Sequence, residues 1–272
     1  MNIQLLLLGS QVAITVGFLV YASWSDFKTR EVRDLVWAIY APIAIVLSLA
    51  NLLLYDPSKL ALFGLSVGFT VGLAFLLFYS GAFGGADSKA LMCIAFSLPF
   101  APVALFTPVL TNSLSPISKF VFPLTIFSNG VLFAAASCLY MVLHNFVWHK
   151  KNGEPLFAGT LAQESLWKKT LILLTGYKVT IAKLKEKWHV FPMEDIDDAG
   201  ENALNRKLVV IPSDEGRDGI VDRLSNAAQA GKIDKYVWAT PGLPMLIFIT
   251  LGLVVALLGG DLVWLLVRFI LA

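Results

Sequence analysis

The sequence predicts an all-α polytopic membrane protein: six transmembrane helices, with a small mixed α/β domain inserted before the last of them. The chain has 272 residues, of which 57% are hydrophobic and 15% charged, and this is too apolar for an ordinary soluble domain. The apolar residues fall into runs of about twenty, the length at which a helix crosses a hydrocarbon core. Most charged residues lie instead in one segment, residues 148–236. Composition therefore indicates a lipid-embedded core with one polar insertion.

The six apolar runs are separated by breaks that are charged or contain Gly and Pro. No Lys or Arg precedes Lys28, so the first run lacks the basic start of a secretory signal and is expected to remain as a spanning helix. The runs are Ile3–Ser23, Leu35–Leu54, Leu60–Tyr79, Ala90–Leu110, Phe120–Val147 and Val237–Leu258.

Basic residues predict the orientation of these passes. Of the 21 lysines and arginines, only Lys59, Lys119 and Arg268 fall on the side that holds the N-terminus. An excess of Lys and Arg marks the cytoplasmic side of a membrane. The N-terminus is therefore predicted outside the cell, and the turns after passes one, three and five are predicted on the cytoplasmic side of the cell membrane. The basic residues follow the membrane boundary rather than form a patch, and no nucleic-acid partner is expected.

Three regions follow from this layout: a membrane core over residues 1–147, a cytoplasmic insert over 148–236, and the sixth helix with a tail over 237–272. Within the insert, Glu164–Lys187 mixes leucines with lysines, which is typical of a segment on the membrane surface. Lys207–Pro212 is predicted as a strand and Asp218–Gln229 as a helix. The placement of residues 259–272 is left open. The acidic residues Glu194, Asp195, Asp197, Asp198 and Glu201 are interpreted as a solvated face rather than a site for a basic substrate.

Two aspartates differ from the other acids because they adjoin apolar passes. Asp26 ends the first pass and Asp87 follows the third. Two crossings separate them, so they meet at the same membrane boundary. An ionised carboxylate near hydrocarbon is costly, about 2.5 to 3.5 kcal/mol at a helix centre and less near its end, which favours a functional explanation.

A close pair of carboxyls supplies both an acid and a base. Two adjacent carboxylates do not both stay ionised, because one pKa rises and the pair shares a proton. The ionised member can deprotonate a water that attacks a peptide carbonyl, and the protonated member can polarise that carbonyl. Neither a metal nor another cofactor is expected in such a site. For a single aspartate, an ion pair with Lys28, Arg30 or Lys89 is the simpler interpretation.

The residues before Asp87 favour the catalytic interpretation. Gly81, Gly84, Gly85 and Ala86 carry almost no side-chain bulk. Such a loop permits positive φ angles and lets an extended substrate backbone approach closely. We therefore expect Asp87 to border a substrate-binding loop.

This segment resembles a known motif. Gly81-Ala82-Phe83-Gly84-Gly85-Ala86-Asp87, followed by Lys89, is similar to the GxGD motif of type IV prepilin peptidases and archaeal preflagellin peptidases. The segment from Asp26 through Lys28 and Arg30 resembles the first catalytic aspartate of that family and its basic continuation. The resemblance implies a membrane aspartic endopeptidase, with Asp26 and Asp87 catalytic, that removes short basic leaders from class III signal peptides of pilin-like or flagellin precursors.

Two departures from the family pattern are visible. Ala86 stands where the motif has Gly, as in similar archaeal members. The chain also lacks the paired CxxC motifs of the bacterial enzymes, which favours the archaeal, peptidase-only type. Before the last pass, Pro241, Gly242 and Pro244 are expected to support the dyad at the same boundary, although a simple proline helix start explains them equally well.

Two other functions stay open. A presenilin or signal-peptide-peptidase-like intramembrane protease also uses a GxGD aspartate, but Trp24-Ser25 precedes Asp26 here, where that group usually has Tyr. A non-enzymatic ion-coupled transporter would place acids at mid-membrane, whereas both aspartates lie at one face. The sequence predicts neither which precursor is cleaved nor the oligomeric state.

Overall fold

The computed structural model describes residues 3–110, 115–197, 205–210 and 216–271. The structure is largely helical, and its strands lie between α7 and α10. The helices are α1 Ile3–Thr29, α2 Asp34–Tyr55, α3 Leu60–Tyr79, α4 Gly85–Ser97, α5 Pro116–Phe120, α6 Phe122–Asn152, α7 Leu166–Thr175, α8 Ile181–Glu186, α9 Arg217–Gln229, α10 Met245–Leu258 and α11 Leu262–Leu271. The strands are β1 Tyr177–Thr180, β2 Val190–Pro192, β3 Glu194–Asp197, β4 Asn205–Leu208 and β5 Tyr236–Pro241.

Several helices are long and apolar enough to cross a membrane. Among the described residues these are α1, α2, α6 and Pro57–Tyr79, which joins a 3₁₀ turn to α3. The pair α10 and α11 gives a fifth candidate if the two count as one span, although they are bent by 65° at the break between them. The protein is therefore a multi-pass membrane protein with four or five candidate spans.

The fourth apolar run is helical over only part of its predicted length. α4 ends at Ser97, and Leu98 already leaves the helical region with φ −128° and ψ 65°. Pro99 and Pro102 follow, and proline interrupts a helix because it lacks an N–H and clashes with the preceding turn. α4 therefore has 13 residues, fewer than the roughly 20 of a full span. The later part of the run instead meets the end of α10, where the backbone N–H of Val109 donates to the carbonyl oxygen of Leu258 at 2.8 Å.

The sixth apolar run also starts differently from the prediction. Its first residues belong to β5, and α10 begins only at Met245. Pro241 and Pro244 explain the delay, since neither can donate a backbone hydrogen bond. The tail left open by the sequence forms α11 after Gly260, whose φ is +100°. The buried Asp261 carboxylate caps this helix by accepting from the N–H of Trp264 at 3.0 Å.

The chain divides into two compact units, residues 1–134 with 244–272 and residues 135–243. In the first unit, buried polar side chains join α1, α2 and α4. Gln11 donates to Ser48 at 3.1 Å, Ser48 donates to the carbonyl of Ser97 at 3.1 Å, and the hydroxyls of Ser97 and Thr15 lie 2.7 Å apart. Buried polar groups need such partners, so these bonds fix the register of the three helices.

The second unit contains two small antiparallel sheets. One has the strand order β1-β5-β2, and the other pairs β3 with β4. Val179, Val190, Leu224 and Val237 form part of an apolar core to which strands β1, β2 and β5 and helix α9 contribute. The predicted helix over Asp218–Gln229 agrees with α9. The predicted strand over Lys207–Pro212 overlaps only the end of β4, and residues 211–212 lie outside the described residues.

The acidic stretch is paired internally where the structure describes it. Glu194 is fully buried and receives a hydrogen bond from Arg206 at 2.7 Å. Arg223 donates to both carboxylate oxygens of Asp195 at 2.9 Å. The interpretation as a solvated face is therefore wrong for Glu194, because strand pairing brings Arg206 opposite Ile196 in the neighbouring strand. Asp198 and Glu201 lie outside the described residues.

Candidate active site

Asp26 lies in the last turn of α1, on the same side as the buried residues Leu19, Ala22 and Ser23. Its side chain is half-buried. The helix ends with Arg30 at φ +59°, and the backbone N–H of Arg30 donates to the carbonyl oxygen of Asp26 at 3.0 Å. This helix end holds the carboxylate at the edge of the packed core.

The N-terminus of α10 lies against this part of α1. Ser23 Oγ donates to the carbonyl oxygen of Leu246 at 2.9 Å and lies 2.7 Å from Thr250 Oγ1. The backbone N–H of Leu246 is within hydrogen-bonding reach of the Asp26 carboxylate. The first N–H groups of a helix have no partner within it and carry partial positive charge. They therefore stabilise negative charge on Asp26.

Asp87 lies in the first turn of α4. Its Oδ2 accepts a hydrogen bond from the backbone N–H of Gly84 at 3.2 Å, as the third residue of a helix does in a capping box. The side chain is half-buried. Local geometry thus gives Asp87 one fixed carboxylate oxygen and leaves the other without this constraint.

The two carboxyls are close enough to affect each other electrostatically. Burial and, to a smaller extent, the negative charge of Asp26 together raise the pKa of Asp87 to about 7, although the Gly84 N–H acts in the opposite direction. Repulsion between neighbouring carboxylates is the usual cause of a shared proton. Near neutral pH a substantial fraction of Asp87 is therefore protonated beside Asp26.

The glycine-rich loop has a positive φ at one position only. Gly81 adopts φ +73°, whereas Gly84 has φ −70° and Gly85 and Ala86 belong to α4. The expectation of positive φ is thus confirmed for Gly81 alone, because the other three form the start of a helix. Gly84 is small for a different reason: a Cβ there would lie 3.2 Å from Asp87 Oδ2, which is tighter than most side-chain contacts.

The basic residues named from the sequence have separate surroundings. Lys89 forms a 2.6 Å ion pair with Asp34 at the start of α2. The Lys28 ammonium lies over the Trp24 ring, 4.8 Å from its centroid. Arg30 is the one whose charge acts directly on Asp26. The structure thus brings Arg30 near Asp26 and gives Lys28 and Lys89 other partners.

The proline-rich segment before the last helix is divided between the two units. Pro244 is the N-cap of α10 and belongs to the unit that contains both aspartates. Pro241 ends β5, and the N–H of Gly242 donates to the carbonyl of His189 at 2.9 Å, both within the other unit. Of these three residues, Pro244 is therefore the one that the structure places in the same unit as Asp26, at the start of α10.

The contacts that position Asp26 were not predicted from the sequence. Ser23 precedes its partners Leu246 and Thr250 by more than 220 residues along the chain. No local sequence pattern indicates such a contact. The available signal was a hydroxyl inside each apolar helix, because buried hydroxyls need partners. No group of three His, Cys, Asp or Glu side chains among the described residues is arranged to hold a metal ion.

Two family models match this chain. The type IV leader peptidase family matches residues 13–143, which include Asp26, Asp87 and the glycine-rich loop. The family described as Archaeal Peptidase A24 C-terminus Type II matches residues 168–262. Both matches are to peptidases, and they support a protease that is similar to the type IV leader peptidases.

Two curated relatives are similar over nearly their whole length. A preflagellin peptidase of Methanococcus voltae is 27% identical over 261 residues, which cover 92% of this chain and 96% of the relative. A preflagellin peptidase of Methanococcus maripaludis is 25% identical over 247 residues, covering 89% of this chain and 92% of the relative.

Proposed function

We propose that this chain is an aspartic endopeptidase that removes the short basic leader from preflagellin or type IV pilin-like precursors. The observation that carries the proposal is the electrostatic coupling of Asp26 and Asp87, two half-buried carboxyls from helices far apart in sequence. The two relatives are preflagellin peptidases, which supports the substrate class. No comparable argument favours an ion-coupled transporter.

The two aspartates have different roles in the proposed reaction. We assign the negative charge to Asp26, because the Arg30 charge and the Leu246 N–H favour its ionised form against the effect of burial. It takes a proton from a water molecule, whose oxygen attacks the carbonyl carbon of the scissile peptide bond. Asp87 donates its proton toward the carbonyl oxygen, which stabilises the tetrahedral intermediate.

Collapse of the intermediate completes the hydrolysis. The C–N bond breaks, and the leaving nitrogen takes up the proton that Asp26 received from water. The new carboxyl group returns a proton to the dyad, so the pair again holds one proton. Gly84 leaves space beside Asp87 for the substrate backbone, since a Cβ at Gly84 would lie 3.2 Å from Asp87 Oδ2.

The active site is proposed to lie at the cytoplasmic membrane boundary, with the N-terminus outside. The distribution of Lys and Arg supports this orientation. In this arrangement the apolar residues 90–110 form a fourth pass that is helical only in its first part, and residues 148–236 form the cytoplasmic insert. A leader that is still in the cytoplasm would then reach both aspartates.

The proposal is tested by incubating a purified preflagellin or pilin-like precursor with membranes that contain the protein, and by measuring the precursor mass. Loss of the leader is expected, and EDTA should leave the rate unchanged because a carboxylate pair activates water without a Lewis acid. Serine and cysteine modifiers should also leave it unchanged. Cleavage that stops with EDTA and returns with zinc would contradict the aspartic mechanism. If both the preflagellin and the pilin-like precursor stay intact, the substrate assignment is contradicted.

A further inference from the structure

Helix α7 turns its apolar side outward. Leu166 is 81% exposed and Trp167 59% exposed, whereas Ile172 on the opposite side is fully buried. Leu166 and Thr170 are four residues apart, as are Trp167 and Leu171, so these side chains share one face of the helix. A mostly apolar exposed face on a short helix requires a partner.

The opposite side of α7 is held by the second unit itself. The Lys168 ammonium pairs with Glu164 at 2.9 Å, and Glu164 also accepts from the backbone N–H of Leu208 at 2.9 Å. Ile172 packs in a small core with Trp238 and Met193. The orientation of α7 is thus set by internal contacts, and its apolar face cannot turn inward without breaking them.

Helix α6 fixes the position of α7 relative to a membrane span. The side-chain amide of the fully buried Asn145 donates to the carbonyl oxygens of Leu173, at 3.1 Å, and Gly176, at 2.7 Å. Asn145 lies in α6, a candidate span, seven residues before its end at Asn152. Seven residues correspond to about 10 Å along a helix. The C-terminal end of α7 is therefore held close to the end of a membrane-crossing helix.

The charges near this point match an anionic lipid surface. The last turn of α6 contains His149, Lys150 and Lys151. Basic residues at the end of a span mark the headgroup region, and tryptophan is enriched in the same layer. Trp167 and these lysines thus combine the apolar and the cationic contacts of a helix lying in the interface.

We infer that α7 is an interfacial anchor: it lies in the headgroup region of the bilayer, with Leu166, Trp167, Thr170 and Leu171 directed toward the acyl chains. The partner of this face is the lipid surface. The inference is independent of the proposed catalytic reaction, because it concerns how the second unit meets the membrane.

The test uses the full-length protein in nanodiscs that contain one copy each. A nitroxide spin label is attached to Thr170→Cys, and for comparison to Gln229→Cys on the exposed polar side of α9, with Cys93 and Cys138 replaced by Ala. Collision with oxygen, which partitions into lipid, is compared with collision with a water-soluble nickel chelate. Leu166→Cys is a second site on the same face if Thr170→Cys does not fold.

The label at Thr170 is expected to show a several-fold higher ratio of oxygen to nickel accessibility than the label at Gln229. Equal ratios at the two sites would overturn the inference. Protection of Thr170 that appears only in discs with two copies would also overturn it, because the partner would then be a second chain. Leader cleavage by the labelled protein is measured separately, so failure of the anchor is distinguishable from failure of the proposed activity.

Discussion

One carboxylate oxygen of Asp87 caps helix α4, and the carboxyl group as a whole belongs to the proposed catalytic pair. Its Oδ2 accepts from the Gly84 N–H, which stabilises the start of α4. An ordinary capping carboxylate has a low pKa, because the N–H bond favours its charged form. Here burial and Asp26 outweigh that bond. The raised pKa is therefore what we expect of the proposed catalytic acid rather than of a structural cap.

The pKa of Asp87 leads to a prediction for pH dependence. A carboxyl with a pKa of about 7 keeps its proton below that pH and loses it above, so the acid of the dyad disappears as pH rises. The rate of leader cleavage should fall by about tenfold per pH unit above the pKa. The measurement is kcat/KM for leader cleavage between pH 6 and pH 9 at constant ionic strength. A flat profile up to pH 9 would contradict a protonated Asp87 in the reaction.

Ala86 provides a second prediction at the residue scale. It lies in the first turn of α4, half-buried against the apolar core and next to Asp87. Ala86→Gly should be tolerated at a cost of up to about 1 kcal/mol in stability. Ala86→Val should lose activity, because its branched side chain enlarges a packed position and narrows the approach to Asp87.

Leader cleavage in membranes with matched protein levels distinguishes these variants. Wild-type rates with Val, or inactivation by Gly, would contradict the proposed need for a small side chain.

Individual residues differ in how far the sequence could predict them. Asp26 and Asp87 were predictable because each interrupts an apolar pattern beside glycines or basic residues. The 2.6 Å pair of Lys89 with Asp34 was not, because the two are 55 residues apart. Lys89 follows the glycine-rich motif in the sequence, while the structure pairs it with Asp34 in α2.

At the scale of elements, prolines set the helix ends that the apolar pattern predicted wrongly. Apolar composition alone extends the fourth and sixth runs, but Pro99 ends α4 and Pro244 starts α10. Both effects were visible in the sequence, since proline limits helices locally. The 65° bend between α10 and α11 was harder to predict, because the buried Asp261 at the bend has its partner Ser115, at 2.6 Å, far away in the sequence.

Two glycines bring α6 and α10 into backbone contact. A Cβ at Gly130 would lie 3.0 Å from the carbonyl oxygen of Phe248, and one at Gly252 would lie 2.7 Å from the backbone nitrogen of Gly130 and closer still to the carbonyl oxygen of Ile126. Small residues allow such close helix packing in membranes. This contact fixes α10, whose N-terminus faces Asp26.

Gly252→Ala should therefore lower stability by about 1 to 3 kcal/mol through overpacking and reduce cleavage by displacing α10. Gly72→Ala in α3 is the matched control: a Cβ there would meet no atom within 4 Å, and Ala favours a helix more than Gly does. The melting temperature in detergent should fall for the first variant and hold or rise for the second. Equal melting temperatures would contradict the close contact.

At the scale of the whole molecule, both aspartates, the glycine-rich loop and the start of α10 lie in one unit of the chain. The second unit has its own sheets and apolar core. Composition predicts a charged insert over residues 148–236, whereas the second unit runs from residue 135 to residue 243. It did not predict the order β1-β5-β2, in which β5 pairs with strands from residues 177–180 and 190–192, since such pairing joins segments about 50 residues apart.

The most direct test of the account is leader cleavage by the single variants Asp26→Asn and Asp87→Asn. An asparagine oxygen can still accept the hydrogen bonds from Leu246 and Gly84, so both proteins should fold, whereas neither retains a complete acid and base pair. Each variant should lose activity by about 100-fold or more, while Asp56→Asn, an acid paired with Lys59 away from the site, should cleave at the wild-type rate. Full activity of either Asp26→Asn or Asp87→Asn, at matched protein levels, would contradict the catalytic pair.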